Sequence, residues 1–261
     1  YDTPLAIYFY FLSLYILLIA KGNKIFIAFP FFFLAFFSYI GTKIIYLPFL
    51  ILALTFAWYI NGKKYSKQYL LLFLLCLIPL LFFVFNLSRG SYAYRAGDLN
   101  NLNREDLAKI VNQERQLSVK TPLTVVFSNK TVVFAKQAVN NYIGAFSTNY
   151  LFLYGENSPF ISLWYHVVFY YLDFLLLLIG LCFIFAKNKK VFLLFSALIL
   201  IAPLPSVASS IGISYSIRTS LMFPVMVIII GIGLWYVITL GKSKFYRIGV
   251  SSLIGFVYLL L

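Results

Sequence analysis

Charged side chains are scarce in this chain, and the few that stand apart from the lysine clusters are the ones able to do chemistry. Lys43 follows one apolar run closely, and Arg218 immediately precedes another. An ionisable side chain at membrane depth costs at least ~2.5 kcal/mol near the bilayer centre and less near its edge. Two cations kept on one membrane face suggest an anionic partner such as a lipid phosphate. Arginine offers it a planar bidentate fork and lysine a point charge. The competing reading is interfacial snorkelling of two ordinary basic residues. Asp2 opens Asp-Thr-Pro ahead of an apolar helix. It is either an N-cap with Pro4 in the first turn or an acid at the mouth of a polar cavity. Asn149 and Glu156 stand in NYLFLYGENSP, where a soluble segment rejoins the apolar chain, either as solvated loop residues or at the border of a site. Asp173 lies inside the apolar string YYLDFLLLLIGL, seven residues after His166. At that depth a carboxyl group faces the bundle interior or is protonated, and the two residues form a proton relay or a structural pair. A single histidine argues against a His-rich metal site. Cys76 and Cys182 both fall inside apolar runs, so neither a disulfide framework nor a zinc site follows. No glycine-rich phosphate loop or nucleophile elbow is present.

The elements that must position these residues are membrane helices. Of 261 residues 62% are hydrophobic and 11% charged, against about 45–50% and about 25% in a soluble domain. Mean hydropathy is +0.93. A spanning helix needs roughly 20 mostly apolar residues, and a barrel strand about 9–11 with alternating polarity. The apolar runs here are continuous, at 4–20, 25–40, 44–60, 69–87, 160–186, 191–205, 220–240 and 248–261. The fold class expected is an all-α polytopic membrane protein of about eight transmembrane helices. Residues 1–87 and 160–261 supply four each, the last truncated, and 88–159 form a small, mainly helical extracytoplasmic segment. The net charge is +14, and the lysine clusters recur after every second span: Lys21/Lys24, Lys63/Lys64/Lys67, Lys187/Lys189/Lys190 and Lys242/Lys244/Arg247. Short basic loops stay in the cytoplasm. The turn at 38–43, the 88–158 segment and the 206–219 loop are therefore expected outside. Charge distributed in this way is a topology signal and an anionic-lipid contact, not a nucleic-acid footprint. The apolar opening lacks the charged leader and cleavage site of a signal peptide, and the chain reads as an internal piece of a longer protein.

Within the soluble-looking segment, Asn103 can cap a helix whose apolar face is Leu107, Ile110, Val111 and Leu117, stopped by Thr121-Pro122. Strand-like 123–127 and a turn at 128–130 lead to a second helix. There Val132, Ala135, Val139, Tyr142, Ile143 and Phe146 recur at helical spacing opposite Lys136, Gln137 and Asn140. That helix lies in the membrane interface or packs on the bundle mouth. Pro203 and Pro205 in APLPS lack backbone N–H groups and should break the outer end of their span. Broken backbone at that depth lines a cavity or is buried in protein, which predicts a pocket near 203–218.

Three outer strings together resemble a known family. FSNK (127–130) followed by NYIGAFSTNYLFLYGENSP (141–159) is similar to the extracytoplasmic segment of bacterial GT-C glycosyltransferases of the protein O-mannosyltransferase and aminoarabinose-transferase type. Ile143, Tyr150 and Glu156 replace the family's Leu, Phe and Asp. SYIGTKIIYLP (38–48) resembles the family's aromatic-to-proline turn, with Lys43 at its basic position. APLPSVASSIGISYSIRTSLMFP (202–224) is similar to the APLPS…Arg…Pro segment, with Arg218 at the arginine. Tyr1-Asp2 resembles the acid that starts an early helix. The resemblance implies an inverting transferase of the cell envelope that moves sugar from a polyprenyl-phosphate donor to an acceptor outside the cytoplasm. It assigns Lys43 and Arg218 to the donor phosphate, Asp2 to orienting substrate or a basic residue, and Asn149 and Glu156 to the acceptor entrance. It places the general base in a first outer loop upstream of Tyr1, so the chain alone is expected to be inactive. His166 and Asp173 match no motif of the family. No cofactor is implied, and a need for divalent metal is left open. The expected partners are a polyprenyl-phosphate-linked sugar, a protein, glycan or lipid acceptor and membrane lipids, with no nucleic acid. The expected location is the cell membrane, crossed many times, with an extracytoplasmic active face.

This chemistry suits the composition. A polyprenyl phosphate cannot leave the bilayer, its leaving phosphate needs cationic stabilisation, and an acceptor hydroxyl needs a carboxylate base. A transporter or flippase of lipid-linked sugars would instead show inverted repeats with broken helices in matching halves. An O-antigen polymerase or ligase would carry several outer arginines and a working histidine.

Overall fold

The structure, a computed structural model, describes residues 3–39, 41, 43–88, 104–117, 127–155, 167–207, 215–241 and 243–260. Among these residues there is no strand. Four helices, Lys43–Asn61, Lys63–Asn86, Lys189–Val207 and Met222–Leu240, are long and apolar enough to cross a membrane, and Thr3–Ile19 and Gly22–Ser38 are shorter apolar helices. The chain divides into two compact units, one of residues 1–145 and 201–220, the other of 146–200 and 221–261.

The first unit begins with α1 (Thr3–Ile19), a 3-10 turn (Gly22–Ile27) and α2 (Ala28–Ser38). Then come α3 (Lys43–Asn61), a second 3-10 turn (Lys63–Tyr65) and α4 (Ser66–Ser88). Gly22 and Gly62 take positive φ at the two reversals, a conformation open mainly to glycine. Tyr10, Phe32, Phe36, Tyr46 and Phe49 are fully buried and interlock, with Tyr10 and Phe49 ring centroids 4.7 Å apart and Phe36 and Tyr46 also 4.7 Å apart. Rings at this spacing add to the packing that must hold helices together where lipid offers no hydrophobic drive. The Tyr46 hydroxyl donates to the Cys76 carbonyl at 2.8 Å. Pro79, which lacks a backbone donor, lies three residues further along α4, so a side chain from α3 is tied to that helix close to its proline. Tyr46→Phe is expected to lower stability by about 0.5–1.5 kcal/mol, read by thermal unfolding in detergent. An unchanged midpoint would show that this bond contributes nothing net.

Polar contacts also tie one end of this unit together. The Asn61 amide donates to the Leu17 carbonyl (3.3 Å) and the Tyr69 hydroxyl (2.9 Å), joining α1, α3 and α4. The turns carrying Lys21, Lys24, Lys63, Lys64 and Lys67 sit at this end, while Lys43 lies at the other, beside Phe36 and Phe83.

α5 (Arg104–Leu117) and α6 (Lys130–Gly144) pair through Val111, Val133 and Ile110. The Arg115 guanidinium donates to the Ser128 carbonyl at 2.8 Å. The Asn129 side chain caps α6 by accepting from the Val132 N–H at 2.9 Å. A lysine–glutamate bridge, Lys136 to Glu114 at 3.3 Å, is exposed and adds little. The apolar stripe of α6 is only partly covered, with Val132, Tyr142 and Phe146 half-buried. Val133 and Asn141 are buried, whereas Ala135, Val139 and Ile143 face outward. Leu117 of α5 is likewise 90% exposed. The contact of α6 with α5 runs through Val133, which lies outside that stripe.

The second unit contains a π-turn at Asn149–Leu153, α7 (Tyr171–Lys187) and α8 (Lys189–Ile201). After Ile201, Ala202 and Pro203 form a turn into α9 (Leu204–Val207) of the first unit, the break expected from the two prolines. Next come α10 (Tyr215–Arg218), also of the first unit, then α11 (Met222–Leu240) and α12 (Lys244–Leu260) of the second. α7 and α11 run parallel: Phe169 meets Phe223 near one end, and Phe183 meets Trp235 and Tyr236 near the other. Between these, Gly180 packs on the Ile229 carbonyl and Gly233 on the Leu176 carbonyl, each where a Cβ would otherwise sit. Small residues that let backbones touch are a recurrent means of joining membrane helices.

Candidate anion site at the amino end of α3

Lys43 is the first residue of α3. The first-turn N–H groups of a helix have no intrahelical partner, so backbone donors and the ammonium group lie at the same place. The Lys43 ammonium lies 4.5 Å from the ring centre of Phe83, 5.4 Å from Phe36 and 6.0 Å from Phe37. Ring faces attract a cation with about 0.5–2 kcal/mol depending on desolvation. The side chain is thereby held at this end of the helices.

α9, the APLPS helix, packs against α3, α6 and α10 at once. Its Ser206 hydroxyl is fully buried and donates to the Pro203 carbonyl at 2.6 Å and to the Asn141 carbonyl at 3.2 Å. Ser206 and Asn141 fasten the broken span to the end of α6, and neither stood out as a functional residue in the sequence. The signal available was a hydroxyl directly after two closely spaced prolines in a chain otherwise poor in polar groups. Arg218 closes α10 and is half-buried, followed by fully buried Thr219. The Ser220 hydroxyl donates to the Ile217 carbonyl at 2.7 Å. The elements carrying Lys43 and Arg218 thus share one small helix as their neighbour, and all belong to the first unit. The predicted pocket near 203–218 falls partly on residues 208–214, outside those described.

Asn149 belongs to the second unit. It opens the π-turn with its side chain exposed, and its carbonyl accepts from the N–H groups of Tyr154 (2.7 Å) and Gly155 (3.3 Å). Such π-turns are frequent at functional sites. Asp2, Glu156 and His166 lie outside the described residues. Asp173 is buried, but as the third residue of α7 rather than deep inside a span. One carboxyl oxygen accepts from the Tyr170 N–H at 2.8 Å, and the other accepts from the Tyr258 hydroxyl of α12. Residues 167–170 are not helical, so no helical register carries from Asp173 back to position 166. Asp173 is a cap and a tie between helices. Among the described residues no three of His, Cys, Asp or Glu gather where they could hold a metal ion.

The chain matches no family model, no curated protein and no solved structure.

Proposed function

We propose that this chain forms the donor-binding part of a membrane glycosyltransferase that moves sugar from a polyprenyl phosphate to an acceptor outside the cytoplasm, within a bundle of about eight spans. The observation that carries the reading is the packing of α9 against α3, α6 and α10. These are the elements that bear the three strings behind the resemblance, and two of them carry at a terminus, Lys43 at the start of α3 and Arg218 at the end of α10, the cations assigned to the donor. In the reaction, the bond from the sugar's anomeric carbon to the phosphate oxygen breaks, and a bond from that carbon to the acceptor oxygen forms with inversion. The acceptor's proton passes to a carboxylate base, and polyprenyl phosphate leaves. Lys43 and Arg218 stabilise the charge that grows on the departing phosphate. Asp2, Asn149 and Glu156 keep the roles the resemblance gives them.

The test reads donor binding, the step assigned to these residues. Polyprenyl phosphate should bind the purified chain in nanodiscs. Lys43→Met and Arg218→Lys should each weaken binding by about tenfold or more, since a charge-assisted hydrogen bond contributes about 1.5–3 kcal/mol and lysine lacks the bidentate fork. Equal binding by wild type and both variants would remove the reading.

A further inference from the structure

A cleft of about 490 Å³ opens between α3 and α4, away from Lys43 and close to the turn that joins the two helices. Its walls are Ile51, Leu54 and Thr55 of α3 and Tyr69, Leu70 and Phe73 of α4. The volume is that of a small-molecule site, and the lining is almost wholly apolar. One end carries a polar clamp. The Trp58 indole N–H donates to the Ser66 hydroxyl at 2.9 Å, and that hydroxyl donates to the Lys63 carbonyl at 2.7 Å. The clamp therefore sits on the turn that carries Lys63, Lys64 and Lys67, all of them exposed. Lys64 lies 5.8 Å from the ring centre of its neighbour Tyr65. An apolar trough, the Trp58 indole at its clamped end and three cations on the adjoining turn follow the order of a phospholipid from tail to headgroup. Aromatic rings favour the headgroup level and basic clusters favour anionic lipid.

We propose that this cleft is a binding site for one anionic phospholipid. An acyl chain lies between α3 and α4, and the headgroup phosphate lies against Lys63, Lys64 and Lys67. The charge complementarity of that turn selects lipid over other occupants of an apolar groove. The site lies at the opposite end of α3 from Lys43 and does not depend on the glycosyltransferase reading.

Trp58 is a built-in reporter. With Trp164→Phe and Trp235→Phe it becomes the sole tryptophan, and the protein is placed in nanodiscs of phosphatidylcholine containing a fixed fraction of lipid with brominated acyl chains. Brominated phosphatidylglycerol should quench Trp58 about fivefold more effectively than brominated phosphatidylcholine, the weight of roughly one lysine beside an anionic headgroup. The variant Lys63→Gln/Lys64→Gln/Lys67→Gln should bring the two lipids to parity. Thr55→Phe, which fills the trough and leaves the lysines, should reduce quenching by both. Parity in the starting protein overturns the proposal, whatever becomes of the variants. So does a preference unchanged in the lysine variant, or quenching unchanged by Thr55→Phe. If neither lipid quenches and Thr55→Phe converts a dimer to a monomer, the cleft belongs to a second copy of the chain and the proposal fails.

Discussion

Gly233→Leu should separate α7 from α11 and lower the stability of the second unit by at least about 3 kcal/mol, the upper end of what overpacking a close-fitted contact costs. The reason is local. A Cβ at position 233 would fall on the Leu176 carbonyl, and the next nearest atom is the backbone nitrogen of Gly180. Backbone cannot swing aside as the end of a flexible side chain can. Gly180→Leu should act in the same way through the Ile229 carbonyl. Because the two glycines share one contact, the double variant should be little worse than either alone. Gly231 supplies the control. It lies two residues away on the same helix, with nothing within 4 Å of an added Cβ, so Gly231→Leu should be tolerated. Unfolding in detergent micelles, followed by tryptophan fluorescence, measures all four. A Gly233→Leu midpoint equal to that of Gly231→Leu would mean that the helices do not touch where described.

The second large effect belongs to Asp173. Its removal takes away the cap on Tyr170, typically about 0.5–2 kcal/mol. It also leaves the Tyr258 hydroxyl without its acceptor, about 1–3 kcal/mol for a buried group. Asp173→Ala should therefore destabilise by about 2–3 kcal/mol, given that Tyr258 is only partly buried. Tyr258→Phe should lose only the second part. In a double-mutant cycle the two should show coupling, since they meet directly. α12 has no buried residue of its own, so its release should expose Lys244 and Arg247 to trypsin earlier than in the wild type. If Tyr258→Phe and Asp173→Ala were equally damaging, the cap would contribute nothing and the aspartate would act only through the tyrosine.

Helix positions were largely legible in the sequence because continuous apolar runs between lysine turns leave few alternatives. The run at 44–60 became α3 at Lys43–Asn61, and the prolines of APLPS ended α8 where their missing N–H groups demanded. Two features were not legible. Within the run expected at 160–186, residues 167–170 are not helical and a helix begins at Tyr171, because Asp173 and Tyr170 form a start signal that hydropathy does not register. The face of α6 was obscured for a different reason. Apolar periodicity marks the buried side only when the surroundings are water. Beside lipid an apolar stripe can point outward while Asn141 turns in, and spacing alone does not separate the two. For the site, the sparse cations could be picked out individually. Their common neighbour, α9, could not, because contacts between residues 43 and 207 are tertiary and leave no local pattern.

The parallel course of α7 and α11 has an electrostatic consequence. Peptide dipoles along a helix sum to roughly half a positive charge at its amino pole and half a negative charge at its carboxyl pole. Two helices lying side by side in the same sense bring like poles together, which is most unfavourable where the dielectric is low. Asp173 stands at the amino pole of α7, and Lys187 stands in its last turn. Beyond the carboxyl pole of α11, the Arg247 guanidinium donates to the Gly241 carbonyl at 3.2 Å. The basic residues at these carboxyl poles therefore offset the mutual repulsion of the two helix ends, so neutralising them should loosen the pair.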